Sequence, residues 1–215
     1  MAESYVIGVD FGSDSVRALI VNTETGENVG QGVACYPRWK AGLYQHPEYS
    51  IFRQHPLDYL ESLEKCITTA LAELTEEQKD HVIGIGVDTT GSTPVPVDKN
   101  GTPLALLDEF AENENAMFFL WKDHAAAAEA DEINKLFRNN SENDYTKYQG
   151  DYSAEWYWAK ILYAVRHDEA IRQAAYTWEE HCDWMTGILC GETRPEKIYH
   201  SACAAGHKAL WHSEW

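Results

Sequence analysis

The residues best suited to chemistry stand near the N-terminus, in GVDFGSDSVRA, residues 8–18. The apolar run YVIGVD ends on Asp10, the chain passes through Gly12-Ser13-Asp14-Ser15, and a second apolar run follows. Gly12 lets the backbone turn tightly. In such a turn the N–H groups of Gly12, Ser13, Asp14 and Ser15, with the Ser13 hydroxyl, can ring a phosphate. The Asp10 carboxylate would face the same cavity and hold Mg²⁺ directly or through water, because hard cations take oxygen ligands. Asp14 is an awkward neighbour for a polyphosphate and is expected to point outward. The plainer alternative is a strand-end aspartate that caps its own turn. Standard phosphate loops do not fit: no Gly-Lys-Ser/Thr follows, and there is no G-x-G-x-x-G. The triplet Asp10-Phe11-Gly12 has only nine residues before it, too few for the loops that accompany that triplet in protein kinases.

The elements that must position these residues follow from patterning. SYVIGVD and SVRALIVN read as strands by their β-branched content, and the turn NTETGE leads into NVGQGVACY as a meander. A hairpin, not a helix N-terminus, would therefore present the donors. Residues 38–56 show no clear period. Pro56 suits a first helical position, and the segment after it aligns Leu60, Leu63, Ile67, Leu71 and Leu74 on one helical face. Val82 to Asp88 reads as a second buried strand, followed by an extended TTGSTPVPVD and a turn at KNGTPL. A helix is predicted from about Glu109 to Arg138, a polar loop at NNSENDYTKYQGDYS, one helix over AEWYWAKILYAVRHDEAIRQAAY, and a short helix in EEHCDWMTGILCGE stopped by Gly191. The order is α/β with an antiparallel start, which disfavours a Rossmann fold, where a helix follows the first strand.

Composition bounds the partners. A chain of 215 residues with 44% hydrophobic content can bury a substantial core. Its 17 basic and 35 acidic residues argue against nucleic-acid and anionic-membrane partners. They do not argue against a nucleotide held by backbone N–H groups and a metal. No apolar run reaches the ~20 residues that span a bilayer. The N-terminus lacks the basic region and cleavage site of a secretory signal. Five scattered cysteines, Cys35, Cys66, Cys182, Cys190 and Cys203, fit reduced thiols in the cytoplasm. The ending AGHKALWHSEW carries no stop signal, so the sequence is expected to be a piece of a longer chain.

These segments resemble the sugar kinases of the FGGY type, in the actin/hexokinase/Hsp70 superfamily. GVDFGSDSVRA resembles their first phosphate motif, Gly-x-Asp-x-Gly-Thr-x-Ser-x-Arg, with Ser13 keeping the hydroxyl of the usual threonine. IGIGVDTTGSTPVPVD, LWKDHAA (Leu120 to Ala126), SAEW (Ser153 to Trp156) and AGHKALWH (Ala205 to His212) resemble later family segments in the same order. Together they look most like the branch that acts on L-ribulose.

The resemblance implies a ribonuclease H-like α/β domain with a mixed sheet, antiparallel at its start and flanked by helices. It implies ATP-dependent, Mg²⁺-assisted phosphorylation of L-ribulose, or a related ketopentose, to the 5-phosphate. Residues 1–215 would form the N-terminal domain, incomplete at its C-terminal end. The adenosine-binding domain and the catalytic base would lie outside this chain, which alone would be inactive. By resemblance, Asp10 would hold the metal and Gly12, Ser13 and Ser15 the terminal phosphates. Gly91, Ser92, Thr93, Lys208 and Glu155 would contact the sugar. Partners would be the sugar and ATP, without nucleic acid or membrane, in the cytoplasm, and a homo-oligomer is compatible with this.

Each assignment has a plainer alternative. Arg17 matches the motif and either faces the loop or pairs with a carboxylate. Family members often place long polar side chains where this chain has Gly91-Ser92-Thr93, so specificity stays open and an ordinary Gly-Ser turn is the alternative. Lys208 could be a surface lysine. Trp121, Asp123 and Trp156 have the types of a carbohydrate platform, yet a helix tryptophan is more commonly core. The set Trp156, Tyr157, Trp158 and Tyr163 likewise reads as helix core. His200, Cys203, His207 and His212 match no zinc spacing. A second function class is a non-catalytic actin-like domain that binds a ligand or partner.

Overall fold

The computed structural model describes residues 3–140 and 149–211. In chain order the elements are β1 (Tyr5–Phe11), β2 (Ser15–Asn22), β3 (Asn28–Cys35), α1 (Pro37–Lys40), β4 (Gln45–His46), β5 (Ile51–Gln54), α2 (Pro56–Leu71), α3 (Glu76–Asp80) and β6 (Val82–Thr89). Then follow β7 (Pro94–Val97), β8 (Phe118–Phe119), α4 (Ala127–Asn139), α5 (Tyr157–His167), α6 (Glu169–Ala174), β9 (Thr177–Glu180), α7 (His181–Cys190) and α8 (Ala202–His207). The chain divides into two compact units: residues 1–43 with 55–90, and residues 44–54 with 91–215.

The first unit is a mixed sheet in the order β3-β2-β1-β6. The antiparallel hairpin sets Asp10 opposite Arg17, and parallel pairing sets Asp10 opposite Asp88. Strand alternation turns Tyr5, Ile7, Val9 and Phe11 inward. The helix α2 begins at Pro56, as read from the sequence, but its buried face is Tyr59, Ser62, Leu63, Cys66 and Ala70, offset from the leucine stripe. The reason lies in β3. A Cβ on Gly32 would stand 2.1 Å from the Cys66 carbonyl oxygen, and one on Gly30 would stand 2.6 Å from that of Ala70. The helix backbone rests on two glycines, so small residues face the sheet. β6 also departs from expectation. It is an edge strand of the described sheet with Ile83 69% exposed: Ile83 and Ile85 share the face of Ile7 and Val9, but α2 packs over β2 and β3 and leaves this edge open.

The second unit holds the antiparallel ribbon β7-β9 and the small sheet β4-β5-β8. The prolines of β7 are tolerated because the ribbon has only two strands. Its cores gather Leu104, Phe110, Met117, Phe119, Ile171 and Trp178, and separately Ala126, Ala130, Tyr152, Ala159 and Leu210. The helix predicted from Glu109 begins only at Ala127. Before it run two 3₁₀ turns, one capped by the Asn113 side chain, and the strand β8. The helix predicted over residues 154–176 breaks in two where Asp168 caps α6 by accepting from the Ile171 N–H. Gly191 ends α7 at φ 72°, as its residue type requires. Eight residues of the predicted polar loop, 141–148, lie outside the described residues.

Candidate functional site

The hairpin between β1 and β2 belongs to the first unit. Arg17 does both things the sequence left open. Its Nη1 is 3.4 Å from Asp10 Oδ2, and its Nη2 lies where a Gly12 Cβ would meet it at 3.1 Å. The Asp10 carboxylate is half exposed and keeps an accessible oxygen face. The Gly12 N–H donates to the Ser15 carbonyl at 3.0 Å, so in this conformation it closes the turn instead of facing a ligand. Ser15 is buried, and its hydroxyl donates to Asp14 Oδ1 at 3.0 Å. Ser13 is half-buried and Asp14 exposed, as anticipated. The buried Tyr36 braces the turn from below, its hydroxyl donating to the Gly12 carbonyl at 3.2 Å, while its N–H donates to that of Asp14. A half-exposed hard carboxylate beside a glycine whose Cβ would crowd the Arg17 guanidinium and the Ser15 carbonyl fits Mg²⁺ and a phosphate. The donor set is one N–H smaller than the sequence implied.

The second cluster lies in the second unit, on the turn after β6. Of Gly91, Ser92 and Thr93, only Gly91 is exposed. Ser92 is 2% exposed and holds φ at 59°, a left-handed conformation uncommon for serine. The Ser92 and Thr93 hydroxyls therefore lie inside, and the turn presents backbone. Lys208 Nζ donates to the Gly91 carbonyl at 3.2 Å, and a Gly91 Cβ would stand 3.5 Å from that amine. Tyr152 fixes Lys208 from its backbone, donating to its carbonyl at 2.6 Å and accepting from the Trp158 N–H at 2.9 Å. Its role carries no sequence signal beyond a tyrosine in a polar loop.

Charges beneath the turn were also not legible. Lys160, fully buried on α5, donates to the carbonyls of Ser92 (2.5 Å), Leu120 (2.9 Å) and Phe119 (3.3 Å). Glu180 accepts from the Thr93 N–H at 3.0 Å. Burial pulls the Lys160 ammonium well below the usual lysine range and pushes the Glu180 carboxyl up to about 7, and their mutual attraction opposes both.

The remaining candidates separate. Glu155 is half-exposed, with Oε2 3.5 Å from His124 Nε2. Asp123 is buried, paired with Arg53, and accepts from the Phe52 N–H at 2.7 Å, which makes it a structural carboxylate. Trp121 is 42% exposed, whereas Trp156 packs edge-on against Tyr152. Of the set read as helix core, Trp156, Tyr157 and Tyr163 pack against the cores while Trp158 is 46% exposed, and Tyr157 and Trp158 also line a cavity of about 640 Å³ with Trp178, Trp211, Glu180 and Asp183. His212 lies outside the described residues. His200 stands instead with Glu179 and Asp183, their ligand atoms within 4.8 Å of one another, an arrangement that could hold a cation. The same geometry serves as an ion pair, with His200 Nδ1 3.2 Å from Asp183 Oδ2 and 3.6 Å from Glu179 Oε2.

Comparison with known proteins bears on the family of the chain. Residues 5–205 match the N-terminal domain of the FGGY family of carbohydrate kinases. A ribulokinase of Vibrio parahaemolyticus is 53% identical over 214 residues, covering 99% of this chain and 38% of that protein. A ribulokinase of Shouchella clausii is 35% identical, covering 97% and 37%. The chain thus spans well under half the length of these relatives. Among solved structures, the xylulose kinase of Bifidobacterium adolescentis superposes with a TM-score of 0.73 at 17% identity, covering 99% of this chain and 40% of that one. The glycerol kinase of Plasmodium falciparum, solved with ADP, gives 0.72 at 15%, covering 99% and 38%. At such identities these two speak to the fold alone, which is that of sugar kinases. The chain belongs to the FGGY family of carbohydrate kinases, matching its N-terminal domain.

Proposed function

We propose that this chain is the sugar-holding part of an ATP-dependent kinase that converts L-ribulose, or a related ketopentose, to its 5-phosphate. The observation that carries the reading is the pairing of Lys208 with the bare Gly91 carbonyl. A polyol needs donors and acceptors side by side, and this pair supplies both where no side chain stands in the way. The Lys208 ammonium donates to a sugar hydroxyl or carbonyl oxygen, and the Gly91 carbonyl accepts from a hydroxyl. The short turn suits close approach of the sugar to the backbone, with Glu155 as a further acceptor. Likeness to two ribulokinases supports the substrate class.

In the hairpin, Asp10 would hold Mg²⁺, and Ser13, with the turn's remaining N–H groups, would receive the terminal phosphates of ATP. When bound, the metal neutralises phosphate charge during in-line transfer. Arg17 balances Asp10 and keeps its carboxylate oriented. We assign no proton acceptor to this chain and place the catalytic base in the part of the enzyme beyond its match.

The test is ADP release with MgATP and L-ribulose, D-ribulose or xylulose, using protein that carries this chain at its relatives' length. Turnover on a ketopentose is expected. Its absence with every ketopentose would favour the non-catalytic binding domain.

A further inference from the structure

We infer that Lys160 is the positioning residue of the sugar turn. From the buried side it fixes the carbonyls of Ser92, Phe119 and Leu120, and so sets where the Gly91 carbonyl and the Trp121 indole stand. The inference rests on the sugar reading proposed above.

Three observations converge. The first is stoichiometric. An ammonium carries three N–H donors and no acceptor. Lys160 Nζ meets three carbonyl oxygens, at 2.5, 2.9 and 3.3 Å. A cation with no exposed surface is tolerated only when its donors are satisfied, and here each one is. An apolar replacement would take this charged donor from all three carbonyls, of which that of Leu120 keeps the Asp123 N–H at 2.9 Å.

The second concerns sequence neighbours. Gly91 is adjacent to Ser92 and Trp121 is adjacent to Leu120, and both Gly91 and Trp121 are exposed. A single buried ammonium, that of Lys160, thus holds the inner ends of two surface features that sequence alone had nominated for the sugar.

The third is the turn itself. Its consecutive backbone groups end on charged side chains in series. The Gly91 carbonyl accepts from Lys208, the Ser92 carbonyl accepts from Lys160, and the Thr93 N–H donates to Glu180. Ser92 needs that support, because a serine at φ 59° is not held there by its own preference. Glu180 supplies the opposite charge nearby.

The experiment compares Lys160→Met with the unaltered chain by hydrogen exchange and by L-ribulose titration. Exchange in peptides covering residues 91–97 and 118–122 is expected to rise about tenfold, from loss of hydrogen bonds to a charged group. The strands at residues 5–22 should keep their protection. Ketopentose affinity should fall about tenfold with it. Unchanged exchange in those peptides overturns the inference, as does a uniform rise across residues 91–211 with affinity unaltered. If the unaltered chain binds no ketopentose, the sugar reading fails, and the exchange pattern still decides whether Lys160 pins the turn. Should Lys160→Met not fold, nitrogen-15 spectra of the unaltered chain decide. A slowly exchanging Lys160 ammonium coupled to the Ser92 carbonyl supports the inference, and a rapidly exchanging amine overturns it.

Discussion

Single residues divide into those whose type announced them and those whose partners gave them meaning. Asp10 and Gly12 belong to the first group: an acid ending an apolar strand and a glycine opening a turn are visible as letters. Lys160 belongs to the second. Within AEWYWAKIL it reads as an ordinary helix lysine, and only tertiary packing brings three carbonyls to it. Ser92 shows the reverse error, since a serine in a turn reads as a presented hydroxyl, whereas its left-handed backbone turns the side chain inward.

Two predictions sit at this scale. Replacing Asp10 with Asn should lower turnover of the complete kinase by about 100-fold or more, with the circular dichroism spectrum unchanged. Full activity would remove Asp10 from metal binding. The second concerns His200, whose pKa is raised from 6.5, first by its hydrogen bond to Asp183 and then by the charge of Glu179. A raised folded value means stability that is present below 6.5 and lost as pH rises through the folded value. The buried His181 acts oppositely, held down at about 3 by burial, so its contribution is present above 6.5 and declines on acidification. His200→Gln should therefore lower Tm more at about pH 5.5 than at about pH 8.5. Equal losses at both would refute the ion-pair assignment.

At the scale of elements, β-branched content and the NTETGE turn found β1 to β3, and a proline at N1 found the start of α2. The stop glycine found the end of α7. Misread elements failed for identifiable reasons. The Glu109 segment contains good helix formers, yet Asn113 caps a 3₁₀ turn and the apolar Met117-Phe118-Phe119-Leu120 is drawn into a buried two-residue strand. The α2 face was misjudged because leucine spacing marks apolar residues, while contact with β3 is set by what the glycines admit. Gly32→Ala should accordingly cost about 2 kcal/mol, read as a fall of roughly 5 °C in Tm. A shift below about 1 °C would mean that α2 does not rest on that glycine.

For the whole molecule, the sequence motifs ran in family order, and that order made the fold legible before any contact was known. The division into two units was not legible, because it interleaves segments, with residues 44–54 joining the later part of the chain. Among the described residues no helix is long and apolar enough to cross a membrane. The 215-residue chain by itself should bind a ketopentose weakly and release no ADP; measurable phosphorylation by this chain alone would contradict that.

The most direct test of the central claim is calorimetric titration of L-ribulose into the unaltered chain and into Lys208→Met. Saturable binding is expected, in the millimolar range, weakened about tenfold or more by loss of the charged donor to the sugar. No saturable heat with the unaltered chain, or equal affinity in both, would contradict it.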